Sequence, residues 1–375
     1  MIKKILKWPL IVIGFLVLVK FTFTLLFFIV NKSPLDATAF APAVAPSKEK
    51  FYISSFSPDS KKLYLEFAGI NRNVNIGWMD LLSKQVSLYV PGDTQDRFAS
   101  PSSSADGKQL AVVIKEAANN FEISQIGVID LESNSYRAVT KSDSFKQFPS
   151  FSPDGKKIIY GQSNRIRESG KTRFSDWDIY EVEISTGIER RLTNFCFFEI
   201  NNPFYFNEGN KFVFSGTPST CLAPDYAGYQ DSQDFLRNYE ALYQKNHIFM
   251  MIGNETRLKP FLMNGPHANG AFLAQDGKIF FVSRTNEMDG LNLSKFNFDI
   301  FVYEVGTIKR LTNLKTYLSG LVASPKGDLV VYKSDPLRKQ RHEYWMMDTK
   351  NGTHNQINFG DSKSFQHVQL NKQLK

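Results

Sequence analysis

The chain has 375 residues, of which 42% are hydrophobic and 14% aromatic, so it can bury a large core. Phe and Tyr dominate the aromatic residues, and both are typical of pleated, half-buried strands. The formal net charge of +8 is compatible with an anionic partner. Nucleic acid is excluded as the expected partner, because the basic residues are spread along the chain without a Lys/Arg block.

An apolar run from Trp8 to Val30 is the first feature along the chain, and three lysines precede it. The run is long enough to cross a bilayer, which takes roughly 20 residues. Lys20 interrupts it at a cost of about 3 kcal/mol, which the apolar neighbours outweigh. The basic flank predicts a cytoplasmic N-terminus and an extracytoplasmic chain after Val30. We therefore expect residues 1–30 to form a cytoplasmic tip and a single-pass inner (cytoplasmic) membrane anchor, with the rest in the periplasm.

A cleaved signal peptide is the alternative interpretation of this segment. The segments Ala37–Ala39 and Ala43–Ala45 resemble small-residue cleavage sites, although the apolar run is longer than an ordinary signal peptide has. Residues 31–49 are rich in Pro and Ala and show no periodicity, which is typical of a semi-rigid linker. This linker is predicted to hold a globular domain, residues 50–375, away from the membrane.

A turn phrase recurs six times after residue 50, and this repetition decides the predicted fold. The copies are Ser57–Leu63 (SPDSKKL), Ser104–Leu110 (SADGKQL), Ser152–Ile158 (SPDGKKI), Phe206–Phe212 (FNEGNKF), Ala274–Ile279 (AQDGKI) and Ser324–Leu329 (SPKGDL). Asp-Gly between two apolar runs indicates a hairpin, because Gly accepts the positive φ of a tight turn. Each copy is therefore predicted to join the first two strands of a repeat.

Two further phrases follow most of the turns. An apolar strand with an acidic end occurs at Ile126–Asp130, Asp178–Val182, Asp299–Tyr303 and Tyr344–Asp348. An Arg-Leu-Thr-Asn phrase follows at Arg191–Asn194 and Arg310–Asn313, with a weaker form at Arg137–Thr140. Each repeat thus predicts four short antiparallel strands, and repeats of about 40–50 residues with four strands are typical of propeller blades. We expect an all-β, six-bladed β-propeller of four-stranded antiparallel blades.

These phrases resemble the TolB-type β-propeller repeat, whose signature is Ser-Pro-Asp-Gly-Lys, Asp-Ile-Tyr and Arg-Leu-Thr-Asn. The third repeat, Pro149 to Asn194, matches best, whereas Ser60, Glu208 and Lys326 mark departures in the first, fourth and sixth repeats. The resemblance covers residues 50–360. It implies the propeller fold and a protein that binds partners in the bacterial cell envelope, although a propeller hosts many activities.

The tail segment Phe365–Leu370 follows the sixth repeat and is strand-like. It is predicted to pair with the first blade and so to close the ring. The alternative is a frayed terminus.

Catalytic motifs are sparse in this sequence. It contains no Gly-x-Ser-x-Gly elbow, no phosphate-binding Gly loop and no His-Glu-x-x-His pair. The five histidines are scattered, and none has metal-ligand spacing; they are His247, His267, His342, His354 and His367. We therefore expect no catalytic residue, no metal and no cofactor, although a site assembled from several blades would leave no local motif.

Long insertions all fall between the predicted second and third strands of a repeat, at 162–177, 217–246, 284–298 and 334–342. One end of the propeller is thus elaborated with loops, and loops on a rigid scaffold are common binding sites. Basic residues in two insertions suggest an anionic polymer or headgroup, with a solvated loop as the alternative; they are Arg165, Arg167, Lys171, Arg173, Arg338, Lys339 and Arg341.

The insertion 217–246 in the fourth blade has a helical pattern. Phe235, Tyr239 and Tyr243 recur at helical spacing with two leucines, which predicts one apolar stripe. Such a stripe either packs on its own domain or binds a partner. Cys196 and Cys221 are the only cysteines, and both lie near this region. Because disulfides persist outside the cytoplasm, we expect a bond between them, with two buried thiols as the alternative.

The function expected from the sequence is therefore a non-enzymatic cell-envelope scaffold that binds a protein partner through its elaborated face. The alternative is a propeller enzyme or carbohydrate-binding protein, similar to a lyase or esterase, with a site at the mouth of the central channel. A metal, or a buried cluster of acids and histidines at the channel mouth, would favour this alternative.

Overall fold

The computed structural model describes residues 50–68, 74–92, 94–116, 123–166, 174–206, 210–217, 247–252, 268–285, 297–314, 316–335, 342–360 and 364–373. They all belong to one compact unit, which comprises Ser47–Met288 and Phe296–Lys375. Strands account for nearly all regular structure in these ranges, and no α-helix occurs in them.

The strands follow the predicted repeats in chain order. Repeat 1 contains β1 (Lys50–Phe56), β2 (Lys62–Ala68), β3 (Val74–Asp80) and β4 (Val86–Pro91). Repeat 2 contains β5 (Arg97–Ser103), β6 (Gln109–Lys115), β7 (Ser124–Asp130) and β8 (Ser135–Ala138). Repeat 3 contains β9 (Lys146–Phe151), β10 (Lys157–Ile166), β11 (Phe174–Glu183) and β12 (Glu189–Arg191).

The second half continues in the same way. Repeat 4 contains β13 (Glu199–Tyr205), β14 (Lys211–Thr217) and β15 (His247–Ile252). Repeat 5 contains β16 (Ala268–Leu273), β17 (Ile279–Arg284), β18 (Phe298–Glu304) and β19 (Thr307–Arg310). Repeat 6 contains β20 (Tyr317–Ala323), β21 (Leu329–Asp335), β22 (Glu343–Asp348) and β23 (His354–Ile357), and β24 (Gln366–Lys372) follows it.

Within each repeat, successive strands pair antiparallel with their neighbours. The turns from first to second and from third to fourth strand therefore leave from one end of the sheet, which we call the turn face. The connections from second to third strand, and from one repeat to the next, leave from the opposite end, which we call the loop face. Middle strands such as β6 are buried along nearly their whole length, because neighbouring repeats cover both of their surfaces.

The turn phrase is explained by side-chain hydrogen bonds. In repeat 3 the Ser152 hydroxyl donates to Asp154 Oδ1 at 2.6 Å and accepts from the Lys157 amide at 2.9 Å. The Lys156 amide donates to the same carboxylate at 3.1 Å, and Gly155 takes φ +70°. The hydroxyl of Ser152 lowers the pKa of Asp154, followed by the Lys156 amide. The turn acids are thus engaged in shaping the hairpins.

The Asp-Ile-Tyr and Arg-Leu-Thr phrases form one buried network. Asp178 is fully buried; its Oδ1 accepts from Thr193 Oγ1 at 2.7 Å and from the Phe195 amide at 2.8 Å. Its Oδ2 accepts from Arg191 Nη2 at 2.6 Å. Burial raises the pKa of Asp178, although these donors oppose the shift. Since these donors surround the carboxylate, the phrase has a structural role in this repeat.

Repeat 5 builds the same network from its own copy of the phrase. Asp299 accepts from Thr312 Oγ1 at 2.9 Å, from the Leu314 amide at 2.6 Å and from Arg310 Nη2 at 2.5 Å. The Thr hydroxyl also accepts from the Ile300 amide at 2.9 Å, which ties the third strand to the segment after the fourth.

Aromatic side chains join repeat 6 to repeat 1. Phe51 of β1 stacks on Phe359 at 4.3 Å between ring centroids, and both Phe51 and Phe67 contact Phe365. Tyr344 of β22 donates through its hydroxyl to the Phe51 carbonyl at 2.5 Å. The junction between first and last repeats is therefore made by side-chain packing, with each repeat built from contiguous sequence.

The tail strand β24 confirms the predicted pairing with repeat 1. It lies parallel to β4, with Gln366 opposite Ser87 and Leu370 opposite Pro91, and its last residues reach β8 of repeat 2. Lys372 Nζ lies 3.2 Å from Asp96 Oδ2 and 3.0 Å from Glu116 Oε1. This strand joins repeats 1 and 2 into one nine-stranded sheet, and Phe365 at the start of the predicted tail segment belongs to the aromatic junction with repeat 1.

Several predictions fall outside the described residues. They include the anchor and linker in residues 1–49, most of the fourth-blade insertion, and the segment after β15 that would hold a fourth strand of repeat 4. Consequently the count of six complete blades stays a prediction. Nowhere in the described ranges is there a helix of the length and apolarity that a membrane crossing requires.

Candidate binding site

The first strand of every repeat carries a bulge at the same register. Pairing between first and second strands shifts there in all six repeats. In five repeats the bulged residue has a positive φ; these residues are Ser100, Phe148, Asn202, Gly270 and Gly320. A positive φ is rare for a side chain as bulky as Phe, so the strained backbone marks this level of the strands.

These five residues, which we call the bulge residues, all line one cavity of about 490 Å³. The first strands of all six repeats contribute to its wall, so we call it the axial cavity. Its volume is in the range of small-ligand sites, about 300–1,000 Å³. Tyr52 lies near the start of β1 and Phe145 lies directly before β9, so both are on the side of the loop face. This side of the cavity is therefore at the end of the propeller for which the sequence predicts long insertions.

Glu66 and Lys115 are an oppositely charged pair in the wall of the axial cavity, which Lys146 and Glu199 also line. Glu66 Oε1 accepts from the Ser100 amide at 2.7 Å and from the Ser100 hydroxyl at 3.3 Å, so it bridges repeats 1 and 2. Lys115 Nζ lies 5.2 Å from the centroid of the Phe145 ring, a cation–π contact. Burial raises the pKa of Glu66 and lowers the pKa of Lys115, while the opposite charge of each opposes the shift of the other.

Lys146 is a fully buried lysine where the cavity meets repeats 2 and 3. Its ammonium donates to the Ser142 carbonyl at 2.6 Å, the Ser124 carbonyl at 3.1 Å and Gln125 Oε1 at 3.2 Å. All three acceptors are neutral, and burial lowers the pKa of Lys146 to about 8. Because its side chain is buried, Lys146 donates to groups within the cavity wall and is not exposed to a ligand in the cavity.

Among the predicted partner-binding residues, Arg165 falls in a described range. It is exposed near the end of β10, and its Nε lies 3.0 Å from Asp176 Oδ2. Much of the predicted insertion 162–177 is strand, because β10 and β11 extend into it. The other predicted contacts lie outside the described residues; they are Arg167, Lys171, Arg173, Phe235, Tyr239, Tyr243, Arg338, Lys339 and Arg341.

Cys196 is half-buried after β12, and its amide approaches Asp178 Oδ2 at 3.3 Å. Cys221 lies outside the described residues, so the Cys196–Cys221 disulfide stays a prediction. Across the ranges that the structure covers, no group of three or more His, Cys, Asp or Glu side chains has an arrangement that could hold a metal ion.

The sequence reasoning missed Glu66, Lys115 and Lys146, although the repeat alignment contains a signal for two of them. Glu66 stands at the register that Val113, Gly161, Ser215 and Val282 occupy in other repeats. Lys146 replaces apolar residues at its own register: Phe51, Phe98, Ile200, Ala268 and Leu318. A charge at a register that is mostly uncharged in the other repeats was the available clue; Lys333 of repeat 6 is the exception at the register of Glu66.

No protein-family model matches the sequence. No curated protein matches it either.

Solved structures do match. TolB from Acinetobacter baumannii has a TM-score of 0.56 and 20% identity over 83% of this chain and 64% of that chain. An oligogalacturonate lyase in complex with manganese has a TM-score of 0.53 and 14% identity, covering 83% of this chain and 79% of that chain. The β-propeller domain of the trilobed protease from Pyrococcus furiosus, with an open velcro topology, has a TM-score of 0.50 and 17% identity, covering 83% and 85%.

At these identities the likeness concerns the fold. This chain spans 64% of the length of the Acinetobacter protein. The sequence-based resemblance is confirmed at the level of architecture: the chain has a TolB-like β-propeller fold.

Proposed function

We propose that this protein is a non-enzymatic scaffold of the cell envelope, a six-bladed propeller that binds a protein partner at its loop face. The axial cavity is the observation that carries the proposal. It is lined by all six repeats, and its wall includes strand ends at the face where the predicted insertions lie.

The chemistry of the repeated acids supports a binding role. Asp178 and Asp299 are surrounded by donors of their own repeats, and turn acids such as Asp154 hold hairpins. The carboxylates that the repeat supplies most regularly are thus occupied by the fold. TolB-like neighbours fit a scaffold.

The proposed location rests on the N-terminal sequence. The apolar run that ends at Val30 would anchor the chain in the inner membrane, and residues 31–49 would connect it to the periplasmic propeller. A partner would then be another periplasmic or membrane-attached protein.

Site-specific photocrosslinking in intact cells tests this proposal. A photoreactive phenylalanine analogue replaces Tyr52, which is 45% exposed on the loop-face side of the cavity. A matched control replaces Leu82, which is 94% exposed in the turn after β3, on the turn face. We expect a discrete protein adduct from position 52, retained in alkali-washed membranes, and none from position 82.

Two results would contradict the proposal. Adducts of equal yield and identity at both positions would show that the partner has no preference for the loop face. The absence of any protein adduct at position 52, in cells that contain the folded full-length chain, would remove the scaffold function.

A second candidate function is a carbohydrate-binding or carbohydrate-cleaving propeller. Its support is the likeness to an oligogalacturonate lyase, together with the raised pKa of Glu66 beside Lys115 in the axial cavity. An unsaturated product formed from oligogalacturonate by the wild type, and lost in Glu66→Gln, would favour this candidate over the scaffold.

A further inference from the structure

The outer edges of repeats 1 and 5 differ in what lies along them. In repeat 1 the tail strand β24 pairs with β4, and the Gly92 amide donates to the Leu370 carbonyl at 2.8 Å. Val368 and Leu370 pack in the apolar cluster that repeats 1 and 2 share. The chain thus adds an extended segment to one of its own sheet edges, and this segment buries apolar side chains between two repeats.

In repeat 5 the corresponding strand is β19, which ends its four-stranded sheet. All of its residues, Thr307–Arg310, are exposed. The Leu311 amide, directly after the strand, donates to the Ile300 carbonyl at 2.8 Å. Because alternate residues of an antiparallel strand bond to the same neighbour, the backbone groups of Ile308 and Arg310 are directed to the outer edge. The edge of β19 therefore offers a template for a further strand.

Beside β19, a cleft of about 270 Å³ lies between repeats 5 and 6 near the turn face, and we call it the rim cleft. By strand register, four of its residues correspond to residues that share the apolar cluster with β24 in repeats 1 and 2. They are Phe280, Val302, Leu311 and Thr349, in place of Tyr64, Trp78, Tyr89 and Leu131. Each is smaller than its counterpart, so the rim cleft has room for side chains of an added segment.

The rim cleft is also cationic, because it is lined by four lysines and two acids. One lysine, Lys278, lies 2.8 Å from Asp276 Oδ2 and 3.3 Å from Glu304 Oε1. For the other three, no carboxylate oxygen of the described residues lies within 4.0 Å of the ammonium group; they are Lys309, Lys326 and Lys350. The lysines therefore leave positive charge beside the edge of β19.

The second acid of the lining, Asp328, is engaged in its own turn. It accepts from the Ser324 hydroxyl at 2.6 Å, a bond that Asp154 makes in repeat 3 from a position two residues nearer to the serine. In repeat 6 that position holds Lys326, which is exposed and lines the rim cleft. The departure of this repeat from the turn phrase thus adds a cation to the rim cleft without loss of the turn bond.

We propose that the rim cleft binds an extended, acidic segment of a partner protein, which adds as a strand along β19 as β24 does along β4. The lysines attract its carboxylates, and Phe280, Val302 and Leu311 give its apolar side chains a surface. The tail of a second copy of this chain has the wrong charge, because residues 365–375 contain two lysines and no acid. The rim cleft shares no lining residue with the axial cavity, so it is a site beyond the proposed loop-face function.

The test uses the full-length protein and a fluorescein-labelled peptide, Ser-Val-Glu-Val-Glu-Val-Glu-amide, by fluorescence anisotropy at low salt. Wild type should bind it at least about tenfold more tightly than the same peptide with Lys in place of Glu. Lys326→Glu should weaken binding of the Glu peptide about tenfold. The matched control is Lys108→Glu, an exposed lysine in the turn of repeat 2, which should change it by less than about twofold.

Strand addition is tested by two N-methylated forms of the Glu peptide, one methylated at the valines and one at the glutamates. A strand pairs through one edge, so one form should bind at least about tenfold more weakly and the other within about threefold of the parent. Ile308→Pro removes a donor from the outer edge of β19 and should weaken binding about tenfold, against about threefold or less for Ile308→Ala. Near-ultraviolet circular dichroism verifies the fold of each variant. If Ile308→Pro does not fold, the methylated peptides decide.

Equal affinity for the Glu and Lys peptides would overturn the proposal, as would equal losses in Lys326→Glu and Lys108→Glu. Parent-like binding of both methylated peptides would exclude strand addition. Tighter binding of a peptide with residues 365–375 would overturn the acidic partner and assign the rim cleft to a second copy of this chain. These failures are distinguishable from failure of the scaffold function, because Tyr52 and Leu82 belong to repeat 1 and do not line the rim cleft.

Discussion

Repeats 2 and 3 solve the same local problem with different chemistry. Repeat 3 ties its third strand to the segment after its fourth through Asp178, Thr193 and Arg191. In repeat 2, Gln125 stands in place of the aspartate and accepts from Thr140 Oγ1 at 2.7 Å. The cation comes from elsewhere, because Lys146 of the next repeat donates to Gln125 Oε1 at 3.2 Å.

The comparison shows which part of the network the two repeats share. In both repeats a Thr hydroxyl accepts from the amide that follows the Asp or Gln, at 2.9 Å in each. The anionic acceptor and the arginine are exchangeable, provided that another buried cation and neutral oxygens take their place. The full charge pair of the repeat 3 network corresponds, in repeat 2, to a buried lysine that repeat 3 supplies and whose charged form Glu189 and Asp143 favour.

Removal of the anion from repeat 3 should have the largest effect. Asp178→Ala leaves the donors of Thr193, Phe195 and Arg191 without their acceptor, which should destabilise the fold by about 3 kcal/mol. Urea denaturation at pH 7 measures it. Asp299→Ala in repeat 5 should cost about as much, since the network is the same.

Gln125→Ala is the matched variant in repeat 2. It removes a neutral acceptor, so we expect a cost of about 1–2 kcal/mol. An equal cost for Gln125→Ala and Asp178→Ala would show that the charge of the acceptor is irrelevant to the network.

The pH dependence of stability should show the next difference between the two repeats. The pKa of Lys146 is about 8 in the folded state and about 10.4 in an unfolded chain. Between these values the unfolded state binds more protons, so the contribution of Lys146 to stability rises with pH, by up to about 3 kcal/mol. Below pH 8 its unfavourable contribution is fully present. The difference in free energy of unfolding between wild type and Lys146→Met should change by about 2–3 kcal/mol between pH 7 and pH 10.

Gln125→Asp is the companion variant for this prediction. It gives Lys146 a carboxylate, which favours the charged lysine and raises its pKa, so the change between pH 7 and pH 10 should shrink. Parallel stability curves for wild type and Lys146→Met over this range would contradict the interpretation of Lys146 as a buried, weakly compensated cation.

Substitutions in the turns should have the smallest effect on the free energy of unfolding, and the effect should be the same in both repeats. Asp106 and Asp154 each accept from a Ser hydroxyl at 2.6–2.7 Å and from the amide two residues on. Their replacement by Ala should cost about 0.5–1 kcal/mol in either repeat at pH 7. The pKa of each is lowered in the fold, so the contribution is lost as pH falls below the unfolded value of about 4.

Lys326 is the control for the turns. In repeat 6 the Ser324 hydroxyl donates to Asp328 Oδ1 at 2.6 Å, so the lysine at the usual acid position is outside the turn network. Lys326→Ala should leave the urea midpoint unchanged. A cost equal to that of Asp154→Ala would mean that turn acids act through charge rather than through these bonds.

The repeat could be predicted from the sequence because its hairpins depend on local chemistry. Ser152, Asp154 and Gly155 act within one turn, and their spacing is visible in the chain. The axial cavity depends instead on residues from six repeats, which no local motif connects. The five bulge residues do lie six residues before the turn acid, as at Ser100 and Asp106, or before Lys326 in repeat 6, but Ser, Phe, Asn and Gly occupy this position, so residue type gave no signal.

The closing contacts were predicted only in part for the same reason. The tail strand was visible as a strand-like segment, and its partner in repeat 1 was predicted. Its second partner, β8, and the contact of Phe51 with Phe359 follow from packing over the whole ring. Arg165, predicted as a partner contact, pairs with Asp176 across its own hairpin, a juxtaposition that strand pairing creates.

The position of β24 has a consequence for the order of folding. Its residue Gln366 bonds with Ser87 across 279 positions of sequence, so this sheet is completed only by contacts of very high contact order. Loop-closure entropy opposes such pairing until the intervening repeats are compact. Pairing of β24 therefore follows compaction of the repeats that precede it, and amide exchange protection at Val368 and Leu370 should appear last during refolding.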